Sequence, residues 1–184
     1  MKQQILDAAA RLIQKYGLKK FTVDGVASEL RISKKTIYQY FRSKDEMISA
    51  YFDVSIASGK SSIRSALAGQ GSVLEKLGAV VHASHRYPLS VPLLDETKRF
   101  YPDQWAKIED LKVFKLKTMK DLLDEGVAAN IIRPDINYPV LLKMLQEISN
   151  MFTDYGFLLQ NRLKTSEAID DALQIILYGA ARRR

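Results

Sequence analysis

The chain predicts an all-α fold: an N-terminal three-helix helix-turn-helix domain over residues 1–46, and a larger C-terminal helical domain over 47–184, about nine helices in all. Three observations predict it. Apolar residues recur at the i, i+3, i+4, i+7 spacing of a buried helix face. Serine, threonine or aspartate stands where successive helices should begin. No segment alternates with period two over a useful length, so no strand is expected.

Taken in order, Ile5, Ala8, Ala9, Leu12, Ile13 and Tyr16 form the inner stripe of a first helix, and Gly17 is its expected stop. Thr22 is the expected N-cap of a second, with Phe21 and Val26 spaced as a hydrophobic staple and Val23, Val26, Ala27 and Leu30 as its stripe. A break at Arg31-Ile32-Ser33 leads to a short helix carrying Ile37, Tyr40 and Phe41. Ser43 and Glu46 make a capping box for a longer helix through Met47, Ile48, Tyr51 and Phe52. After the Gly69-Gln70-Gly71 seam, Ser72 and Glu75 repeat that box for a helix expected to run through His85. Ser90 and Pro92 signal another start, because proline is tolerated in a first turn. Asp103 begins a long helix ending near Asn130, and two helices near 138–162 and 166–181 complete the chain.

A chain of 184 residues buries a proper core, and its 47% hydrophobic content is that of a globular protein. With no cysteine there is no disulfide framework, thiol nucleophile or thiolate metal site. An acid, Asp7, stands where a signal peptide would place its apolar core, and no apolar run approaches the roughly 20 residues of a membrane span. A cytoplasmic protein without a membrane partner is the expectation. The net charge of +7 is uneven: residues 1–50 hold ten Lys/Arg against five Asp/Glu, and Arg182-Arg183-Arg184 account for the small excess in the remainder. Concentrated positive charge is the electrostatic footprint of a nucleic-acid surface or, more blandly, a solvated face.

The start Ser33-Lys34-Lys35-Thr36 separates these readings. Serine caps the helix, yet two lysines follow with no acid in the first turn, against the helix dipole. That is reasonable where an external anion meets the helix end. Lys44 repeats the pattern after Ser43. A helix, a tight turn and a second helix over 22–41 have the layout of a helix-turn-helix, whose second helix enters the major groove of DNA. Its surface would offer Lys34, Lys35 and Thr36, then Tyr38, Gln39 and Tyr40. Lysine donates to guanine, threonine reaches a base or a thymine methyl, glutamine pairs adenine, and tyrosine bonds phosphate.

The run Thr22-Val23-Asp24-Gly25-Val26-Ala27-Ser28-Glu29-Leu30-Arg31-Ile32-Ser33-Lys34-Lys35-Thr36-Ile37-Tyr38-Gln39-Tyr40-Phe41-Arg42-Ser43-Lys44-Asp45-Glu46-Met47 resembles the DNA-binding signature of the tetracycline-repressor-like (TetR) family. The resemblance covers about the first fifty residues. It implies phosphate contacts from Thr22, Tyr40 and Lys44, and a recognition face of Lys34, Lys35, Thr36, Tyr38 and Gln39. Two positions depart from the family pattern: Arg31 stands where glycine is frequent, and Lys35 where a small residue is. If the turn needs φ > 0 at Arg31, its Cβ costs on the order of 1 kcal/mol.

The rest of the chain resembles the family only weakly, around Glu125–Asp135. By that resemblance the last two helices form a homodimer interface, for which Leu141, Leu145, Ile148, Phe152 and Leu159 supply one apolar face and Ile169, Leu173 and Ile176 another. The plain alternative is ordinary intramolecular core. Tyr87, Phe100, Tyr101, Trp105 and Phe114, with Met119, Met144 and Met151, are candidate walls of a pocket for an apolar or aromatic small-molecule effector; aromatics and methionines at helical spacing are also common core. The implied function is a ligand-responsive regulator, a repressor of a palindromic double-stranded DNA operator. The alternative is a helical small-molecule-binding or scaffold protein without specific DNA recognition.

Catalysis is not expected. His82 and His85 share a helix face without an acid or cysteine nearby in sequence, and Asp95-Glu96, Glu109-Asp110 and Asp170-Asp171 diverge on a helix as adjacent residues must. Gly69-Gln70-Gly71 lacks the third glycine and preceding strand of a dinucleotide loop. No cofactor or metal is expected.

Overall fold

A computed structural model describes residues 1–151 and 155–180, with side-chain surroundings described for all of these except 149–151, 155, 165 and 180. Ten helices occur among the described residues and no strand: α1 (Lys2–Lys20), α2 (Val23–Leu30), α3 (Lys34–Tyr38), α4 (Lys44–Ala68), α5 (Val73–Val81), α6 (Val91–Phe100), α7 (Pro102–Ala128), α8 (Tyr138–Met151), α9 (Tyr155–Gln160) and α10 (Thr165–Ala180). The chain forms two compact units, Met1–Lys60 with Ser84–Glu109, and Ser61–Ala83 with Asp110–Arg184. The unit that contains the helix-turn-helix thus extends past residue 46 into α4, and takes in α6.

In the first unit Ile5, Ala8, Ala9 and Ile13 of the expected α1 stripe are buried, joined by Leu6, whereas Leu12 is half-buried and Tyr16, next to the Gly17 kink, is 48% exposed. α1 packs on α2 and α6, and α2 on α3. Phe21 and Val26, the expected staple, are both buried, as are Ile37, Phe41, Met47, Ile48, Tyr51 and Phe52. Gly17 kinks α1 instead of ending it: at φ 84°, ψ 170° the helix direction breaks, and a last turn runs on to Lys20. That backbone region is essentially reserved for glycine.

The helix launched by Ser72 ends at Val81, short of His85. Periodicity missed the cause, which lies in the partners of the following segment. Within the first unit, the Ser55 hydroxyl donates to the Tyr87 carbonyl at 2.6 Å and the Tyr51 hydroxyl to the Pro88 carbonyl at 2.5 Å. The Tyr87 ring stacks on Tyr51 at 5.1 Å, and its hydroxyl donates to Asp7 at 2.7 Å. His85 Nδ1 lies 2.9 Å from the Ser55 carbonyl. Pro88 also biases Tyr87 away from helical backbone.

In the second unit Ile63, Val73, Leu77, Val80, Met119, Leu122, Leu123 and Ile132 form a core with Leu141, Leu145, Ile148, Leu158 and Leu173. Ser72 and Glu75 close the capping box reciprocally, and Asn130 takes the left-handed conformation just after α7, at φ 58°. The helix expected over 138–162 is described as α8 and α9. Within this unit His82 pairs with Asp170 at 2.5 Å, an acid from distant sequence.

Candidate nucleic-acid interface

Local capping chemistry builds the helix-turn-helix. The Thr22 hydroxyl accepts from the Gly25 N–H at 3.0 Å, opening α2. α2 closes at Arg31, whose φ of 55° and ψ of 42° are left-handed, with the Ile32 N–H returning to the Ala27 carbonyl at 3.0 Å. The turn therefore does require positive φ, and this chain places an arginine there. The Ser33 hydroxyl then accepts from the Thr36 N–H at 3.1 Å and opens α3. Ile37 and Phe41, both fully buried, fix which face α3 shows to solvent.

α3 is shorter than periodicity suggested. It ends at Tyr38, and Gln39 is its C-cap; Tyr40 and Phe41 complete the turn by donating their N–H groups to the Ile37 carbonyl at 2.9 and 3.1 Å. The exposed side of this unit carries Lys34, Lys35, Tyr38, Gln39 and Tyr40, with Thr36 half-buried. Tyr38 is 50% exposed and Tyr40 37%, so both hydroxyls can reach a ligand. Thr22 is exposed at the neighbouring start of α2. The elements bring these seven residues onto consecutive starts and turns of one unit.

The cations differ in their occupation. Lys34 pairs with Asp24 of α2 at 2.9 Å, and that hydrogen bond and charge raise its pKa. Lys35 has no ion pair among the described residues. Lys44 is turned toward α1: its ammonium donates to the Lys19 carbonyl at 2.8 Å and lies 4.8 Å from the centroid of the buried Phe21 ring. Burial lowers its pKa. The Ser43 hydroxyl accepts from the Glu46 N–H at 3.1 Å, while the Glu46 carboxylate reaches one residue further back, to the Arg42 N–H at 2.6 Å.

Two residues to which sequence reasoning gave no role in binding support this surface. Asp24 holds Lys34. Glu96 of α6 accepts the N–H groups of Leu18 and Lys19 at 2.7 and 2.8 Å, directly after the Gly17 kink. Those N–H groups begin a helical turn and have no acceptor of their own, as at any helix start. The contact spans 77 and 78 positions, so no local pattern announces it; only the glycine in mid-helix hints that an outside group closes the gap.

The candidate effector residues fall in both units. Tyr87, Phe100, Tyr101 and Trp105 belong to the first, where Tyr87 is buried in the contacts above and Phe100 is exposed beneath the Lys19 ammonium at 3.1 Å. Phe114, Met119 and Met144 belong to the second; Met144 is exposed, and Phe114 packs on the core edge with Arg64 over its ring. The Met151 side chain lies outside the described residues. Met119 lines a small cavity of about 50 Å³ in the second unit, together with Val80, Val81, Leu116 and Leu145. No group of three His, Cys, Asp or Glu that could hold a metal occurs among the described residues.

Of the candidate interface residues, Leu141, Leu145, Ile148 and Leu173 are buried in the chain's own core, and Ile169 and Ile176 pack partly buried against it. Leu159 is 65% exposed, and Phe152 lies outside the described residues. The same helices expose further apolar side chains: Val140, Met144, Ile175 at 75% and Tyr178 at 78%. No helix among the described residues is long and apolar enough to cross a membrane.

Residues 5–51 match the family model of bacterial regulatory proteins of the tetR family. Over 97% of this chain and 95% of its own length, the HTH-type transcriptional regulator YvaF of Bacillus subtilis is 27% identical. The HTH-type transcriptional repressor KstR2 of Mycolicibacterium smegmatis is 28% identical over 79% of this chain and 74% of its own. A transcriptional regulator from Saccharomonospora viridis, solved with choline, shares the fold with a TM-score of 0.79 at 17% identity, over 99% of this chain and 98% of that one. The capped helix-turn-helix thus coincides with the stretch that matches the tetR family model, and the chain is similar to HTH-type transcriptional regulators along most of its length.

Proposed function

We propose that the protein is a ligand-responsive transcriptional repressor that binds a palindromic operator as a homodimer and releases it when a small molecule occupies the second unit. The observation that carries this reading is α3: a serine-capped helix anchored by Ile37 and Phe41, presenting Lys34, Lys35, Tyr38 and Gln39 to solvent. Groups of this kind, projecting from one short helix, suit base edges in a major groove. Thr22, Tyr40 and Lys44 flank it and would set register on phosphates. One such helix reads few bases, so two copies on two half-sites are required, and the exposed Val140, Leu159, Ile175 and Tyr178 are suited to the pairing surface. The role is one of binding, without catalysis.

Salt titration of operator binding tests the reading. Affinity should fall steeply with salt, with a logarithmic slope near −0.9 per phosphate neutralised, and Lys44→Ala should flatten it by about one per subunit. Gln39→Ala should relax preference at particular bases, at about 1–3 kcal/mol. An equal loss on all sequences rejects the reading role of Gln39; no binding to any duplex at low salt rejects the function.

A further inference from the structure

Lys115 of α7 lines the small second-unit cavity, half-buried and without an ion pair among the described residues. Among the described residues its ammonium makes a single hydrogen bond, a long one of 3.3 Å to the Val81 carbonyl, although an ammonium carries three donors. Burial pushes its pKa down to about 8. Lys112 lies one turn earlier on α7 and lines the same cavity, as does Gln146 of α8. Two ammonium groups and an amide thus converge on a space walled otherwise by apolar side chains. A largely desolvated ammonium with a carbonyl and no counter-charge beside it is costly.

We propose that this cavity seats the carboxylate of a small organic acid, with Lys115 as its ion-pair partner and Val80, Leu116 and Met119 against the adjoining carbon chain. The inference rests on the reading of the protein as a ligand-responsive regulator and names the chemistry of the ligand. Size supports a head group: about 50 Å³ admits a few heavy atoms, whereas a whole drug-sized ligand takes roughly 300–1,000 Å³. The lining supports a carboxylate: Val80, Leu116, Met119 and Leu145 suit a carbon chain, whereas a phosphate has no apolar part to set against them. A neutral ligand would leave the ammonium as poorly compensated as before.

The test is calorimetric titration of the full-length protein at pH 7 with octanoate and benzoate, their uncharged counterparts 1-octanol and benzyl alcohol, and inorganic phosphate. The carboxylates should bind at least tenfold more tightly than the alcohols. K115M should erase that difference and K115R should retain part of it. In the unaltered protein, octanoate should also slow reductive methylation of Lys115, and 1-octanol should not. The proposal is overturned if alcohols match carboxylates, if K115M binds octanoate unchanged, if phosphate competes equally, or if no carboxylate binds. DNA binding by the same preparation is measured in parallel: retained DNA binding without carboxylate binding sinks this inference alone, while carboxylate binding without affinity for any duplex sinks only the regulator reading.

Discussion

Removing the Glu96 carboxylate should loosen the C-terminal turn of α1, and the structure sets the size of the effect. Glu96 accepts two backbone N–H groups at 2.7 and 2.8 Å. Hydrogen bonds to a charged acceptor contribute about 1.5–3 kcal/mol each when buried. The Lys19 N–H is exposed and regains water in the variant, so Glu96→Ala should cost about 2 kcal/mol, the upper end of N-cap removals. For a chain of this length that lowers the melting temperature by roughly 4–8 °C. Gly17 provides the internal check. A Cβ there would lie 2.9 Å from Glu96 Oε2, on a residue whose φ is already 84°. Gly17→Ala in the unaltered protein therefore bears backbone strain of about 1–3 kcal/mol and also displaces the carboxylate. In the Glu96→Ala background only the strain remains. Urea unfolding of the four proteins should give a coupling of about 1 kcal/mol, well above the ~0.5 kcal/mol scatter of independent sites. If the two substitutions simply add, the carboxylate is not closing the kink.

Lys115→Met should be more stable than the unaltered protein at pH 7. Its folded pKa of about 8 lies below the ordinary lysine value of 10.5, so between those values the unfolded chain binds more protons and stability rises with pH. The unaltered protein should gain up to ~3 kcal/mol relative to the methionine variant from pH 8 to 10.5; parallel urea midpoints over that range contradict it. Arg31→Gly removes the left-handed strain but adds unfolded-state entropy, for a net gain of roughly 0–1 kcal/mol; thermal unfolding should rise by a few degrees at most, and a clear fall refutes the strain. Asp24→Asn should raise operator affinity severalfold by freeing Lys34 and removing a negative charge beside the DNA, and unchanged affinity in a gel-shift titration would show that the pair has no bearing on binding.

What could be read from the sequence was local chemistry. Thr22, Ser33, Ser43 and Ser72 each accept from the N–H three residues on, because a cap's partner lies within its own first turn. Arg31 stood out because it occupies a position where the resembled family often has glycine, and its φ is indeed positive, at 55°. Partners far along the chain were not legible. Nothing near Gly17 names Glu96, and nothing near Val81 announces that Ser55 and Tyr51 hold the segment after it. Periodicity identified the apolar faces of α8 and α10, but it does not say whether a face meets its own chain or another. Leu141, Leu145 and Leu173 turned out to meet their own, leaving Ile175 and Tyr178 outward. The Lys115 cavity was missed for the same reason: a lysine in an amphipathic helix reads as surface until the neighbours over it are known.

Two of the lysines assigned to DNA are engaged within the protein, Lys34 by Asp24 and Lys44 by the Lys19 carbonyl and the Phe21 ring. On the proposed reading, operator binding is then an exchange of partners. Lys34 gains a base or phosphate only by sharing or leaving Asp24, so a wrong sequence, which offers a poorer acceptor, leaves the internal pair intact. Lys35 has no such alternative and attracts any duplex. The internal partners therefore take more from non-specific binding than from specific binding, because only a well-placed acceptor outcompetes them. Discrimination arises here from what the lysine must give up as much as from what it contacts.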